Sequence, residues 1–112
     1  MILSNAGPGV SIIDMIFYYG SGPFEFADKH KAIETKYSWT KQCNLLYIDW
    51  PLGVGLSTRN KTYLLDRTGI IEAELYFDAV EKILEKFEKL KKSEISIYAE
   101  SFNGLLSPAV AV

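Results

Sequence analysis

Ile95-Ser96-Ile97-Tyr98-Ala99-Glu100-Ser101-Phe102-Asn103-Gly104 is the stretch that decides the fold. A short β-branched and aromatic run stops at a serine with small or permissive neighbours, and a helix is predicted to follow. That is the strand–turn–helix layout of a nucleophile elbow, in which a sharp turn lifts the serine oxygen clear of a sheet. The demand is steric: residues two before and two after the serine pass close to neighbouring backbone and must be small. Ala99 meets the first demand. Asn103 is larger than expected at the second, with Gly104 one place on. Alone, small-x-Ser-x-x-Gly also fits an ordinary turn.

The chain opens Ile2-Leu3-Ser4-Asn5-Ala6-Gly7-Pro8-Gly9-Val10-Ser11. An apolar pair runs into a Gly-Pro-Gly turn and then into polar residues suited to starting a helix. In hydrolases with a nucleophile elbow, a glycine-rich loop after an early strand gives one N–H of the oxyanion hole, and the residue after the nucleophile gives the other. Gly7 and Phe102 are the candidate donors. One such donor is worth on the order of 3 kcal/mol in the transition state.

Between these motifs stand Tyr37-Ser38-Trp39 and Tyr47-Ile48-Asp49-Trp50-Pro51-Leu52-Gly53-Val54-Gly55-Leu56-Ser57. Together with Gly22-Pro23-Phe24, the segments resemble the serine carboxypeptidases. That family shows an Asn-Gly-Gly-Pro-Gly loop, a Gly-Pro-Phe turn, a Tyr-Ser-Trp turn, a Tyr-Ile-Asp-x-Pro-x-Gly-x-Gly-x-Ser segment and a Gly-Glu-Ser-Tyr-Ala-Gly elbow. Counterparts to all five occur here in the same order, and the resemblance spans residues 1–112. It implies a partial α/β-hydrolase fold with a mostly parallel sheet and packed helices, in a single partial domain.

The resemblance also implies a serine-type carboxypeptidase that acts through an acyl-enzyme on Ser101. Gly7 and Phe102 would hold the oxyanion. Asn5 and Glu100 match the family's residues that bind the substrate's terminal carboxylate. Two carboxylates meet there without repulsion if they share a proton, which favours acidic pH. The implied partner is a peptide with a free C-terminus; no cofactor or metal is implied. Departures are Ala6 in the first loop, Gly20 where the family usually has a second glutamate, and Phe102-Asn103 in the elbow.

The family's triad runs Ser, then Asp, then His, yet residues 102–112 contain neither Asp nor His. The sole histidine, His30, lies in the charged run Ala27-Asp28-Lys29-His30-Lys31 and reads as a solvated loop residue. The chain is therefore expected to be the N-terminal part of a catalytic core, inactive alone, with the Asp/His half as its missing partner. Two other readings stay open: a related α/β-hydrolase acyltransferase or esterase, and a non-catalytic remnant.

Apolar residues make up 48% of the chain, which argues against disorder. A net charge of −2 provides no basic field for nucleic acid. No apolar run is long enough to span a bilayer. Met1-Ile2-Leu3-Ser4 lacks the features of a signal peptide. The family enters lysosomes or vacuoles or is secreted, so a missing start or a truncated gene product is expected, and the compartment stays open. Asn60-Lys61-Thr62 fits an N-glycosylation acceptor, relevant only to a secreted protein.

Local patterning completes the expectations. Residues 1–4 read as a strand stump and 11–18 as a short helix capped by Ser11 ahead of Asp14. Phe24-Glu25-Phe26 alternates like a short strand. Residues 43–49 and 94–98 read as strands buried on both faces, with Cys43 a core thiol. From Thr68 to Lys91 an apolar stripe through Tyr76, Val80, Ile83, Phe87 and Leu90 predicts a long helix. Gly53 and Gly55 suit a loop with strained backbone.

Overall fold

The computed structural model describes residues 2–4, 8–60 and 69–111. Three short strands, β1 (Ile2–Ser4), β4 (Leu46–Ile48) and β5 (Ile97–Tyr98), form one sheet in the order β4-β1-β5. Both pairings are parallel: Ser4 lies opposite Ile48, and Leu3 opposite Tyr98. A separate antiparallel hairpin joins β2 (Phe24–Asp28) to β3 (Lys31–Glu34). The helices are α1 (Ile12–Tyr19), α2 (Gly69–Lys86) and α3 (Asn103–Val110). Helices and strands thus mix, as a parallel pairing requires, since each return to the sheet needs a crossover.

Side chains alternate across the sheet as strand geometry dictates. Leu46, Ile48 and Ile97 pack against a cluster built from Trp50, Ala73, Tyr76 and Val80 with Leu106 and Val110 of α3. Trp50 meets Tyr76 edge to face at 5.2 Å. The intervening residues turn the other way: Tyr47 reaches the Ser21 hydroxyl at 3.2 Å, and the Tyr98 ring meets Trp39 at 5.2 Å. On this second side, α1 packs on the hairpin through Phe17 and Phe26, stacked at 4.9 Å.

Several elements differ from expectation. The strands are shorter than 43–49 and 94–98, and the β4 side chains are only half-buried. Cys43 therefore precedes the strand; it is half-buried, with its thiol donating to the Trp39 carbonyl at 3.5 Å, and is not a core residue. The long helix stops at Lys86. Phe87 leaves helical geometry (φ −118°, ψ 69°) and a tighter 3-10 turn, Glu88–Lys92, follows. Leu90, on that turn, lines a cleft of about 400 Å³ with Cys43, Leu46, Leu84 and Ile95. Position 68, the expected helix start, lies outside the described residues. Ser11 precedes α1 as expected, but its hydroxyl does not cap the helix; it donates to Asp49 instead. Among the described residues, no helix is long and apolar enough to cross a membrane.

Candidate active site

Strand β5 ends at Tyr98 and α3 begins at Asn103, so Ser101 stands in the turn between them. Its φ is +52°, and it is the one non-glycine residue at positive φ among the described residues. That conformation costs an L-residue energy and persists only where the surroundings enforce it. Here they do. Three successive bonds, from the N–H groups of Asn103, Gly104 and Leu105 to the carbonyls of Glu100, Ser101 and Phe102, wind the turn directly into α3. Leu106 and Val110 then anchor α3 against α2. The result is a serine on the solvent side of a rigid corner, with its side chain exposed.

The flanking residues show how the corner is built. Ala99 is half-buried. Asn103, larger than the small residue expected there, is only 3% exposed. With Tyr76, Ile97, Leu106 and Val110 it lines a small crevice at the start of α3. A Cβ at Gly104 would meet nothing within 4 Å, so close approach does not explain that glycine. Phe102 follows Ser101 in α-helical geometry, and its N–H is not a donor in the three turn bonds. Glu100 is exposed.

Asn5 and Gly7 lie outside the described residues. The flanking backbone is described, however. Strand β1, which leads into them, is paired with β5, which leads into Ser101. The two segments therefore leave the same end of adjacent parallel strands, the end at which sites form in open α/β sheets. His30 sits in the β2–β3 turn, exposed, where its N–H donates to Asp28 Oδ1 at 2.8 Å. The 400 Å³ cleft opens at the other end of β4 and β5, before the strands begin.

Asp49 was not singled out from the sequence, yet it organises this end of the sheet. It follows β4 and is 4% exposed. Its Oδ1 accepts from the Ser11 hydroxyl at 2.7 Å and from the Ile12 N–H at 2.9 Å. Its Oδ2 accepts from the Leu56 N–H at 2.9 Å, and its carbonyl from the Ser57 hydroxyl at 2.6 Å. A buried carboxylate needs such donors. Gly55, at φ +54°, lies so close that a Cβ there would overlap the carboxylate. Gly53, at φ +96°, completes the loop; both glycines carry the strained backbone expected of them. The legible signal was an aspartate directly before Trp-Pro and two spaced glycines; its partners lie 37 and 38 residues away.

A serine held at positive φ between a parallel strand and a helix has the backbone layout of one class of proteins, those with a nucleophile elbow. Comparison with known proteins narrows the class. The serine carboxypeptidase family profile matches residues 4–112. Serine carboxypeptidase-like 49 of Arabidopsis thaliana is 34% identical over 99% of the chain and 21% of its own length. Pheromone-processing carboxypeptidase KEX1 of Tuber melanosporum (strain Mel28) is 32% identical over 99% of the chain and 17% of its own length. Serine carboxypeptidase 3 of Hordeum vulgare is 30% identical over 99% of the chain and 22% of its own length. The chain belongs to the serine carboxypeptidase family, a family of α/β-hydrolase-type peptidases. It spans about a fifth of the length of these relatives.

Proposed function

We propose that the chain is the nucleophile-bearing part of a serine-type carboxypeptidase, with Ser101 as the residue that forms the acyl-enzyme. The observation that carries this reading is the +52° backbone of Ser101 at a strand-to-helix corner, within a family match over residues 4–112. The three parallel strands would belong to the mostly parallel sheet of an α/β-hydrolase domain, of which 1–112 is one part.

In this reading the Ser101 hydroxyl attacks the last peptide carbonyl of a substrate with a free C-terminus. Its proton passes to a general base, the C–N bond breaks, and the freed amine leaves with a proton. Water then hydrolyses the serine ester. Gly7 and Phe102 N–H groups bind the oxyanion, and Asn5 and Glu100 bind the terminal carboxylate. Phe102 suits this role because it directly follows Ser101 in the turn, and its N–H is not a donor in the three bonds that wind the turn into α3. The base would come from the Asp/His half, the partner that residues 1–112 lack; His30, in an exposed hairpin turn, is not placed in that role.

The test uses the 112-residue chain and Ser101→Ala on a blocked dipeptide at acidic pH. Neither should show appreciable turnover, because a serine hydroxyl without a base is a weak nucleophile. Loss of a base costs on the order of a million-fold in turnover. Robust hydrolysis by the parent that vanishes in Ser101→Ala would show a base inside these residues and return attention to His30. A fluorophosphonate incubated for hours should label Ser101 slowly; labelling that persists in Ser101→Ala would remove Ser101 as the nucleophile.

A further inference from the structure

We infer that the cleft before β4 and β5 is a strand-shaped slot, which takes an extended segment of polypeptide in line with β1, on the N-terminal side of Ile2. It lies at the opposite end of the sheet from Ser101 and does not depend on the chemistry proposed there.

β1 lies between β4 and β5, and Ile2 stands opposite Leu46 on one side and Ile97 on the other. The two flanking chains run back beyond that point. Residues 43–45 and 94–96 have the sequence of strand, yet β4 starts only at Leu46 and β5 only at Ile97. Both therefore begin level with Ile2. A ladder needs a neighbour, and the neighbour of both is the lane that β1 occupies. Strands sit about 4.8 Å apart, so the lane between residues 43–45 and 94–96 is about 9.6 Å across, the room of one strand.

That lane holds the cleft of about 400 Å³. Asn44 and Leu45 line it from one bank, and Glu94 and Ile95 from the other. Leu84, which packs on the same cluster as Leu46 and Ile97, closes it from the α2 side together with Leu90. Ile95 is left 41% exposed, an apolar side chain that an inserted strand would cover.

The register gives the occupant's chemistry. Counting back from Ile2, the second position falls between Asn44 and Ile95, and the third between Cys43 and Glu94. Side chains alternate along a strand, and residues in register on neighbouring strands share a face. Leu46 and Ile97 face the α2 cluster. The second and fourth positions share that face and meet Leu84 and Leu90, so they take apolar side chains; the third faces away. A chain seated there gains a parallel ladder on both sides, strand addition inside a sheet instead of at its edge.

The test extends the 112-residue chain by five residues ahead of Met1. Cys43, the only thiol in the sequence, reports from the wall of the cleft. In the extension Ser-Thr-Val-Thr-Val, the valines take the second and fourth positions. Ser-Val-Thr-Val-Thr moves them by one place and so to the other face. Ser-Thr-Asp-Thr-Asp puts charge at the inward positions. The first extension should slow the reaction of Cys43 with an aromatic disulfide reagent about tenfold or more and slow amide exchange at Ile95, because the cleft is closed and the ladder formed. It should also raise the urea midpoint by about 0.5 M. The other two should leave Cys43 within about twofold of the unextended chain. Ile95→Asp, at a side chain already exposed, should cancel the gain of the first extension.

Equal Cys43 rates and urea midpoints in the unextended chain and the first extension overturn the inference. Equal gains from both valine extensions overturn it too, since an apolar tail would then be adhering without register. Shielding of Cys43 with unchanged exchange at Ile95 has the same force, because no ladder would have formed. If the unextended chain does not fold, the three extensions are compared with one another and the same ordering decides.

Discussion

Replacing Gly55 by alanine should destabilise the chain far more than replacing either of two other positive-φ glycines. At φ +54° an alanine already costs about 1–2 kcal/mol. Its methyl group would also overlap the Asp49 carboxylate and lie 2.8 Å from the Ser11 hydroxyl. Relief requires the carboxylate to move, and moving it breaks at least one charge-assisted bond worth about 1.5–3 kcal/mol. The expected loss for Gly55→Ala is about 3–5 kcal/mol, a large share of the roughly 5–15 kcal/mol that holds a domain together. Gly9 supplies the control: its φ is +90° and a Cβ there meets nothing within 4 Å, so Gly9→Ala should cost only the backbone effect, about 1–2 kcal/mol. Gly53 lies between. Its new methyl would meet the Arg59 side chain at 2.8 Å, and a flexible side chain can swing aside. Urea unfolding followed by tryptophan fluorescence is a suitable assay, because buried Trp50 is the next residue to Asp49. A Gly55→Ala midpoint equal to that of Gly9→Ala would refute the packing of that loop on the carboxylate.

Two further outcomes follow from the same physics. Ser101→Gly should raise unfolding stability by about 1 kcal/mol, because glycine tolerates the +52° backbone, while Ser101→Ala should not. A loss of stability in Ser101→Gly would mean that the corner is not strained. Burial raises the Tyr47 phenol above its ordinary value of 10.0, against the lowering effect of its bond to Ser21. The folded state therefore favours the neutral phenol. Its contribution is complete below pH 10 and lost as pH rises through the folded value. Tyr47→Phe should flatten the alkaline fall in urea midpoint relative to the parent; parallel curves would contradict this.

The elbow was legible because its demands are local: an apolar run, a small residue, a serine and a helix start occur within ten positions. The apolar stripe of α2 was legible too, but its end was not. Phe87 and Leu90 continue the helical period, and no Gly or Pro marks the point where the chain tightens into a 3-10 turn. The β3 strand went unread because Lys31–Glu34 is exposed throughout, so no alternation of apolar and polar residues signals it. Ser11 looked like a cap because Asp14 follows at the right spacing, whereas a buried acceptor 38 residues away takes its hydroxyl. Asp49 stood in a quoted motif but was given no role, because two of its three donors come from Ser11 and Ile12, 38 and 37 residues away, and only the Leu56 N–H is local.

The most direct test of Ser101 as a nucleophile served by an oxyanion hole is one distance, from the Gly7 backbone nitrogen to Ser101 Oγ, measured in crystals of the chain. A single substrate carbonyl must bridge the two, so hydrogen-bond geometry sets the limit at roughly 6 Å. A separation within that limit, with the Gly7 and Phe102 N–H groups turned toward a common point beside Ser101, is the expected result. A separation well beyond it, or a Gly7 N–H bonded elsewhere in the protein, would contradict the oxyanion assignment.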